Sequence, residues 1–157
     1  MDVTLINPFI NATLKVLEMM AFVKATHGRP FLKKDNKLIG DVTGVIGITG
    51  EATGTLSISF DETAILSIIS SMFGEAMTEV NQEAADAVGE ITNMVSGQAR
   101  KELEEAGKYL QAAIPSVVTG KNHTLIQIVE GPKIAIPFDL LDNKGSFTIE
   151  VCLKTKN

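Results

Sequence analysis

The stretch Asn81–Gly107, NQEAADAVGEITNMVSGQARKELEEAG, decides how the rest of the chain is read. At about 100° per residue, Ala87, Val88, Ile91, Met94 and Val95 fall on one side, with Gln98 among them. Asn81 is a candidate N-cap and Gly107 stands where a helix C′ residue would. A long helix from about Asn81 to Ala106 is predicted, and its apolar stripe must pack on something.

The flanking sequence supplies a sheet. Downstream, Ile114–Thr119, Thr124–Val129, Lys133–Phe138 and Phe147–Leu153 are short, β-branched runs punctuated by Gly, Pro or Asn, with Pro115 and Pro137 suiting strand starts or edges. Upstream, Val42–Thr49 and Thr55–Phe60 read as two strands joined by a hairpin turn at Gly50-Glu51-Ala52-Thr53-Gly54. Asp61 is a plausible N-cap for a second helix through Ile65, Leu66, Ile68, Ile69 and Met72, which Gly74 would end. Farther back, residues 24–40 read as a polar connection. Asn7 can cap a first helix running to about Val23, with Pro8 in its first turn and Phe9, Ile10, Leu14, Leu17, Met20 and Ala21 at helical spacing. The expected fold is α+β, with a mainly antiparallel sheet packed against the long helix and two further helices. No linker divides the chain, so residues 1–157 are expected to form a single domain.

Composition narrows the function classes. Of 157 residues, 45% are hydrophobic and 21% charged, as in ordinary globular proteins, and with no Trp the core must be mainly aliphatic. The net charge is −5 and no basic cluster exceeds Lys33-Lys34, which argues against nucleic acid as a partner. The single cysteine, Cys152, cannot form an intrachain disulfide, and its alternating surroundings mark a strand position. There is no basic n-region followed by an apolar stretch and no run approaching about 20 apolar residues. A chain with neither signal peptide nor membrane span, residing in the cytoplasm, is expected. His27 and His123 are isolated, and Ser67, Ser70 and Ser71 have no neighbouring His. The Gly44, Gly47, Gly50, Gly54 series lacks the helix and Lys-Ser/Thr of a phosphate loop. No His/Cys/Asp/Glu cluster has metal-ligand spacing.

On another side of the long helix, Asp86, Glu90, Asn93 and Gly97 form a row at spacings of four, three and four, with Gly89 beside it. Glu90 and Asn93 emerge together as i,i+3 neighbours. Each interior glycine costs the helix roughly 1 kcal/mol relative to alanine. Close approach of another surface would offset that cost, which makes this row a candidate docking face.

The longer pattern is Asp86-x-x-x-Glu90-x-x-Asn93, followed after an interval by Pro115. Together with Ala87–Met94, Pro115–Gly120, Val45–Gly50 and Gly54-Thr55-Leu56, it resembles the CheC/CheX/FliY phosphatases of bacterial chemotaxis over nearly the whole chain. CheC-like members carry a second motif on the first helix. Here that helix offers Asn7 and Asn11 but no Glu-x-x-Asn, so the single-site CheX arrangement is the nearer match.

The resemblance implies a CheC-like fold and a hydrolase acting on the aspartyl phosphate of a CheY-like response regulator. It implies Glu90 and Asn93 as catalytic residues, with Asp86, Gly89 and Gly97 contacting the partner. It also implies Mg²⁺ on the regulator, no cofactor on this chain, and a homodimer joined through its sheets. Asn93 would hold a water in line with phosphorus, since an amide both donates and accepts hydrogen bonds. Glu90 would accept a hydrogen bond from the regulator's lysine. The alternative is a non-catalytic module of the flagellar-switch kind, which need not keep Glu-x-x-Asn.

Overall fold

The computed structural model describes residues 3–155. The elements run α1 (Val3–Ala21), β1 (Ala25–His27), β2 (Phe31–Lys33), β3 (Lys37–Gly50), β4 (Ala52–Phe60), α2 (Glu62–Phe73), α3 (Gln82–Glu105), β5 (Leu110–Ala112), β6 (Ser116–Ile126), β7 (Lys133–Leu140) and β8 (Ser146–Thr155). The eight strands form one antiparallel sheet in the order β1-β7-β8-β4-β3-β5, with β2 also on β7 and β6 also on β3. The α+β expectation holds.

Register explains the layering. Ile136, Ile149 and Ile58 lie side by side across β7, β8 and β4, as do Phe138, Phe147 and Phe60 one pleat away. These side chains are buried beneath the helices, and the ring of Phe147 stacks on that of Phe138 with centroids 4.8 Å apart. Phe9, Val16 and Leu17 of α1, Ile65, Ile68 and Ile69 of α2, and Val88, Ile91 and Val95 of α3 complete the core.

The opposite pleat carries Ser57, Ser59, Thr43 and Glu150, and these are buried too. The start of β3 and the end of β6 cross behind the sheet and cover them. Gln127 donates to Ser57 Oγ at 2.8 Å, the His123 ring nitrogen Nε2 meets Thr43 Oγ1 at 2.7 Å, and Lys33 pairs with Glu150 at 3.0 Å.

Local capping follows the sequence. Asp61 Oδ1 accepts from the Ala64 amide at 2.6 Å, and Gly74 ends α2 at φ 70°. Asn81 Oδ1 accepts from the Ala84 amide at 3.2 Å. Past α3, Gly107 takes φ 87° and the Lys108 amide donates to Leu103 O at 2.8 Å. The chain then meets the β3–β4 turn: the Glu51 amide donates to Tyr109 O at 3.1 Å, and the Tyr109 amide donates to Glu51 Oε2 at 2.7 Å.

Several boundaries differ from expectation. The first helix already includes Val3, so Asn7 is no cap and Pro8 lies inside the helix. Burial of Leu5 and Ile6 with Phe9 and Ile10 extends the helix past a residue that removes one backbone donor. The hairpin turn is tighter, with Glu51 alone between β3 and β4.

The connection at 24–40 contains β1 and β2, both on the outer edge of β7. They are separate because the Gly28 amide donates to Pro137 O at 2.8 Å and Pro137 has no N–H to return. A Cβ on Gly28 would sit 2.9 Å from Pro137 Cγ, so the close passage there wants glycine. The runs expected at Ile114–Thr119 and Thr124–Val129 are one strand, β6, whose Gly120-Lys121-Asn122 bulges opposite Asp41. Asp41 holds the bulge, accepting from the amides of Asn122 at 2.8 Å and Glu62 at 2.7 Å. The short strand β5 had no expected counterpart.

Candidate active site

Helix α3 lies along β3 and β6, and its buried face is wider than the apolar stripe. Thr92 and Ser96 are buried with Val88, Ile91 and Val95. Thr92 Oγ1 donates to Val88 O at 2.7 Å and rests against Gly44 of β3. A Cβ built on Gly44 would lie 2.0 Å from that oxygen, so the missing side chain sets how closely helix and sheet approach.

The polar row points the other way. Asp86, Glu90 and Asn93 are exposed, and Asp86 Oδ1 accepts from Gln82 Nε2 at 2.8 Å. Glu90 and Asn93 have no hydrogen-bond partner among the described residues, so both side chains are available to a visitor. Across from them, Ala113-Ile114-Pro115 and Val117 form the far wall of an open groove of about 450 Å³. The structure thus brings Asp86, Gly89, Glu90 and Asn93 into one groove with Pro115; Gly97 lies one turn past Asn93, outside its lining.

The two glycines behave alike inside the chain. A Cβ on Gly89 would meet Val117 Cγ2 at 3.4 Å, an ordinary contact, and one on Gly97 would approach only Arg100 Nη2, at 3.9 Å. Internal packing therefore requires glycine at neither position.

Sequence reasoning missed Ile114 as a site residue. It was expected to open a strand, but it sits in the bend between β5 and β6 on the rim of the groove. Its position just before Pro115 was the available signal, since a residue before proline is held extended.

Two other depressions are less equipped. The groove along α2 contains Ser67, Ser70 and Ser71, but Ser67 donates to Lys144 O, Ser70 bonds Met77, and Ser71 donates to Ala21 O. In the crevice between α1 and α3, Asn11 Nδ2 donates to Glu102 Oε1 at 3.2 Å. Among the described residues, no group of three or more His, Cys, Asp or Glu could hold a metal ion, and no helix is long and apolar enough to cross a membrane.

Comparison with known proteins gives the family. Residues 42–139 match the family model described as chemotaxis phosphatase CheX. The chain is similar to the CheY-P phosphatase CheX of Thermotoga maritima, 28% identical over 123 residues that cover 78% of this chain and 79% of that protein. It is also similar to the crystal structure of a chemotaxis protein CheX from Desulfovibrio desulfuricans, with 42% identity and a TM-score of 0.89, covering 96% of this chain and 99% of that one. The CheX in a CheX–CheY–BeF3–Mg²⁺ complex from Borrelia burgdorferi shares the fold at 24% identity and a TM-score of 0.78, covering 95% and 97% of the two chains. The family match spans well over half of the sequence and contains the α3 row and Pro115, so the chain belongs to the CheX family of chemotaxis phosphatases.

Proposed function

We propose that this chain hydrolyses the aspartyl phosphate of a CheY-like response regulator, with Glu90 and Asn93 as its catalytic residues. The observation that carries the assignment is the pair itself. Two neighbouring polar side chains, both without a partner among the described residues, face an open groove on a fully capped helix.

The chemistry follows from the side chains. In-line displacement at phosphorus needs an oriented nucleophile and charge stabilisation. Asn93 Oδ1 accepts a hydrogen bond from a water and Nδ2 can donate to a phosphoryl oxygen, which holds the water on line without a base. The water oxygen bonds to phosphorus as the phosphorus bond to the aspartate carboxylate breaks, and inorganic phosphate leaves. Glu90 accepts from a cationic side chain of the regulator and fixes the register in which Asn93 enters. Asp86, Gly89 and Gly97 contact the regulator along the same row. Mg²⁺ comes with the regulator, a reading supported by the Borrelia complex of CheX, CheY, BeF3 and Mg²⁺. A cytoplasmic location goes with such a substrate.

A homodimer is part of the same reading. Strand β6 ends the sheet with its far edge unpaired among the described residues, and Ile39 and Ile126 are exposed on the ribbon it forms with β3. A second copy pairing there would cover both, and light scattering would give the mass of two chains.

The test is phosphate release from a phosphorylated CheY-like receiver in Mg²⁺. The chain should shorten the phosphate lifetime, Asn93→Ala should abolish the effect with the fold intact, and Glu90→Ala should weaken both binding and rate. Full activity in Asn93→Ala would overturn the assignment. Binding to the receiver without any change in phosphate lifetime would mark a non-catalytic module.

A further inference from the structure

The groove has an electrostatic peculiarity. Its charged lining residues are Asp86 and Glu90, and no Lys or Arg lines it. A phosphoryl group brought here meets carboxylates, so its charge must be balanced by cations on the molecule that carries it. Attraction for the phosphoryl group cannot supply the affinity of the complex. Most of the remaining wall is apolar, and its most prominent member is Ile114, 89% exposed.

Singly exposed apolar residues are common and need no explanation. Ile114 differs in how it is held. The Ala113 amide before it donates to Gly47 O at 3.0 Å, and the residue after it is Pro115. Both neighbours restrict its backbone, and a β-branched side chain has few rotamers to lose. A β-branched side chain on so restrained a backbone, on the rim opposite Glu90 and Asn93, costs little entropy to bury.

We infer that Ile114 is the apolar docking residue for the phosphorylated receiver domain, seating in an apolar patch beside the phosphorylated aspartate while the receiver's cations face Asp86 and Glu90. This rests on the phosphatase reading above and adds the source of its affinity and partner choice. Ile114 acts on binding; it touches neither the water nor the phosphorus.

The experiment compares the parent chain with Ile114→Ser and Ile114→Leu in phosphate release from a phosphorylated CheY-like receiver with Mg²⁺. Binding to the beryllofluoride-loaded receiver is measured alongside. Ile114→Ser should raise KM and Kd about tenfold at unchanged kcat, the signature of lost uniform binding, with the melting temperature unmoved. Ile114→Leu should remain close to the parent. An unchanged KM and Kd in Ile114→Ser, or a fall in kcat at constant KM, would overturn the inference. A parent chain that leaves the phosphate lifetime unaltered would instead remove the phosphatase reading, and this inference with it.

Discussion

Replacing Gly44 by alanine should damage catalysis from beneath the helix, without touching any residue that meets substrate. The added Cβ would stand 2.0 Å from Thr92 Oγ1 and 3.1 Å from both Thr92 Cβ and Val88 Cγ1. Packed carbons stay about 3.5–4.0 Å apart. Thr92 is fully buried and its hydroxyl is spent on Val88 O, so turning it aside breaks that bond and swings another substituent toward the same space. The remaining relief is for α3 to lift from β3 by roughly 1 Å, with overpacking costing about 1–3 kcal/mol. Thr92 lies between Glu90 and Asn93 in the chain, so the displacement reaches the proposed catalytic pair directly. A misplacement of about 1 Å can cost about 10²-fold in rate. Urea melts and kcat/KM for a phosphorylated receiver measure both effects. Thr92→Ala alone should lose about 1 kcal/mol with its hydrogen bond and methyl. Combined with Gly44→Ala it should recover most of the activity, with a coupling of about 1 kcal/mol or more. The contacts at 3.1 Å keep the recovery partial. A Gly44→Ala variant with parental stability and rate, or a double variant no better than the sum of its parts, would refute this account of how helix and sheet are spaced.

Gly97→Ala should stabilise α3 by about 1 kcal/mol in a denaturant melt, because a Cβ there fits the chain, while weakening receiver binding if Gly97 meets the receiver as proposed. Asp61→Ala removes acceptors for the amides of both Ala64 and Ser146 and should cost about 1–2 kcal/mol of stability, with kcat unchanged since α2 lies outside the groove. Burial pushes the Cys152 thiol above its ordinary range, partly opposed by Lys133, so its thiolate is scarcer than that of a free cysteine. A thiol alkylating reagent near pH 8 should therefore label the native protein far more slowly than the urea-unfolded chain.

The parts of the fold visible in the sequence are those decided within a few residues. Asp61, Gly74, Asn81 and Gly107 mark helix ends because caps are local hydrogen bonds and local backbone conformations. The row of Asp86, Glu90 and Asn93 was legible because helical spacing alone puts those side chains together. What escaped depends on partners far along the chain. Gly120 and Asn122 carry the signals of a turn, yet the pairing of β3 on either side of Asp41 makes them a bulge in one strand. β1 and β2 exist because β7 offers a backbone edge, and their own side chains hardly announce them. Thr92 looks polar in sequence and is buried because a glycine waits for it on β3. Ile114 reads as the start of a strand until β5 occupies the preceding edge of β3.

The seating of α3 has a mechanical consequence. Val88, Ile91 and Val95 seat its middle in the core, and the paired bonds between Glu51 and Tyr109 tie the exit to the β3–β4 turn. Glu90 and Asn93 therefore ride on the outer side of a helix seated along its inner face, and any bending that would re-aim them must disturb that packing. Amides around residues 88–96 should be among the slowest to exchange with solvent, opening only with the whole domain. A pair held in this way should keep its aim when the receiver docks, leaving the receiver as the partner expected to adjust.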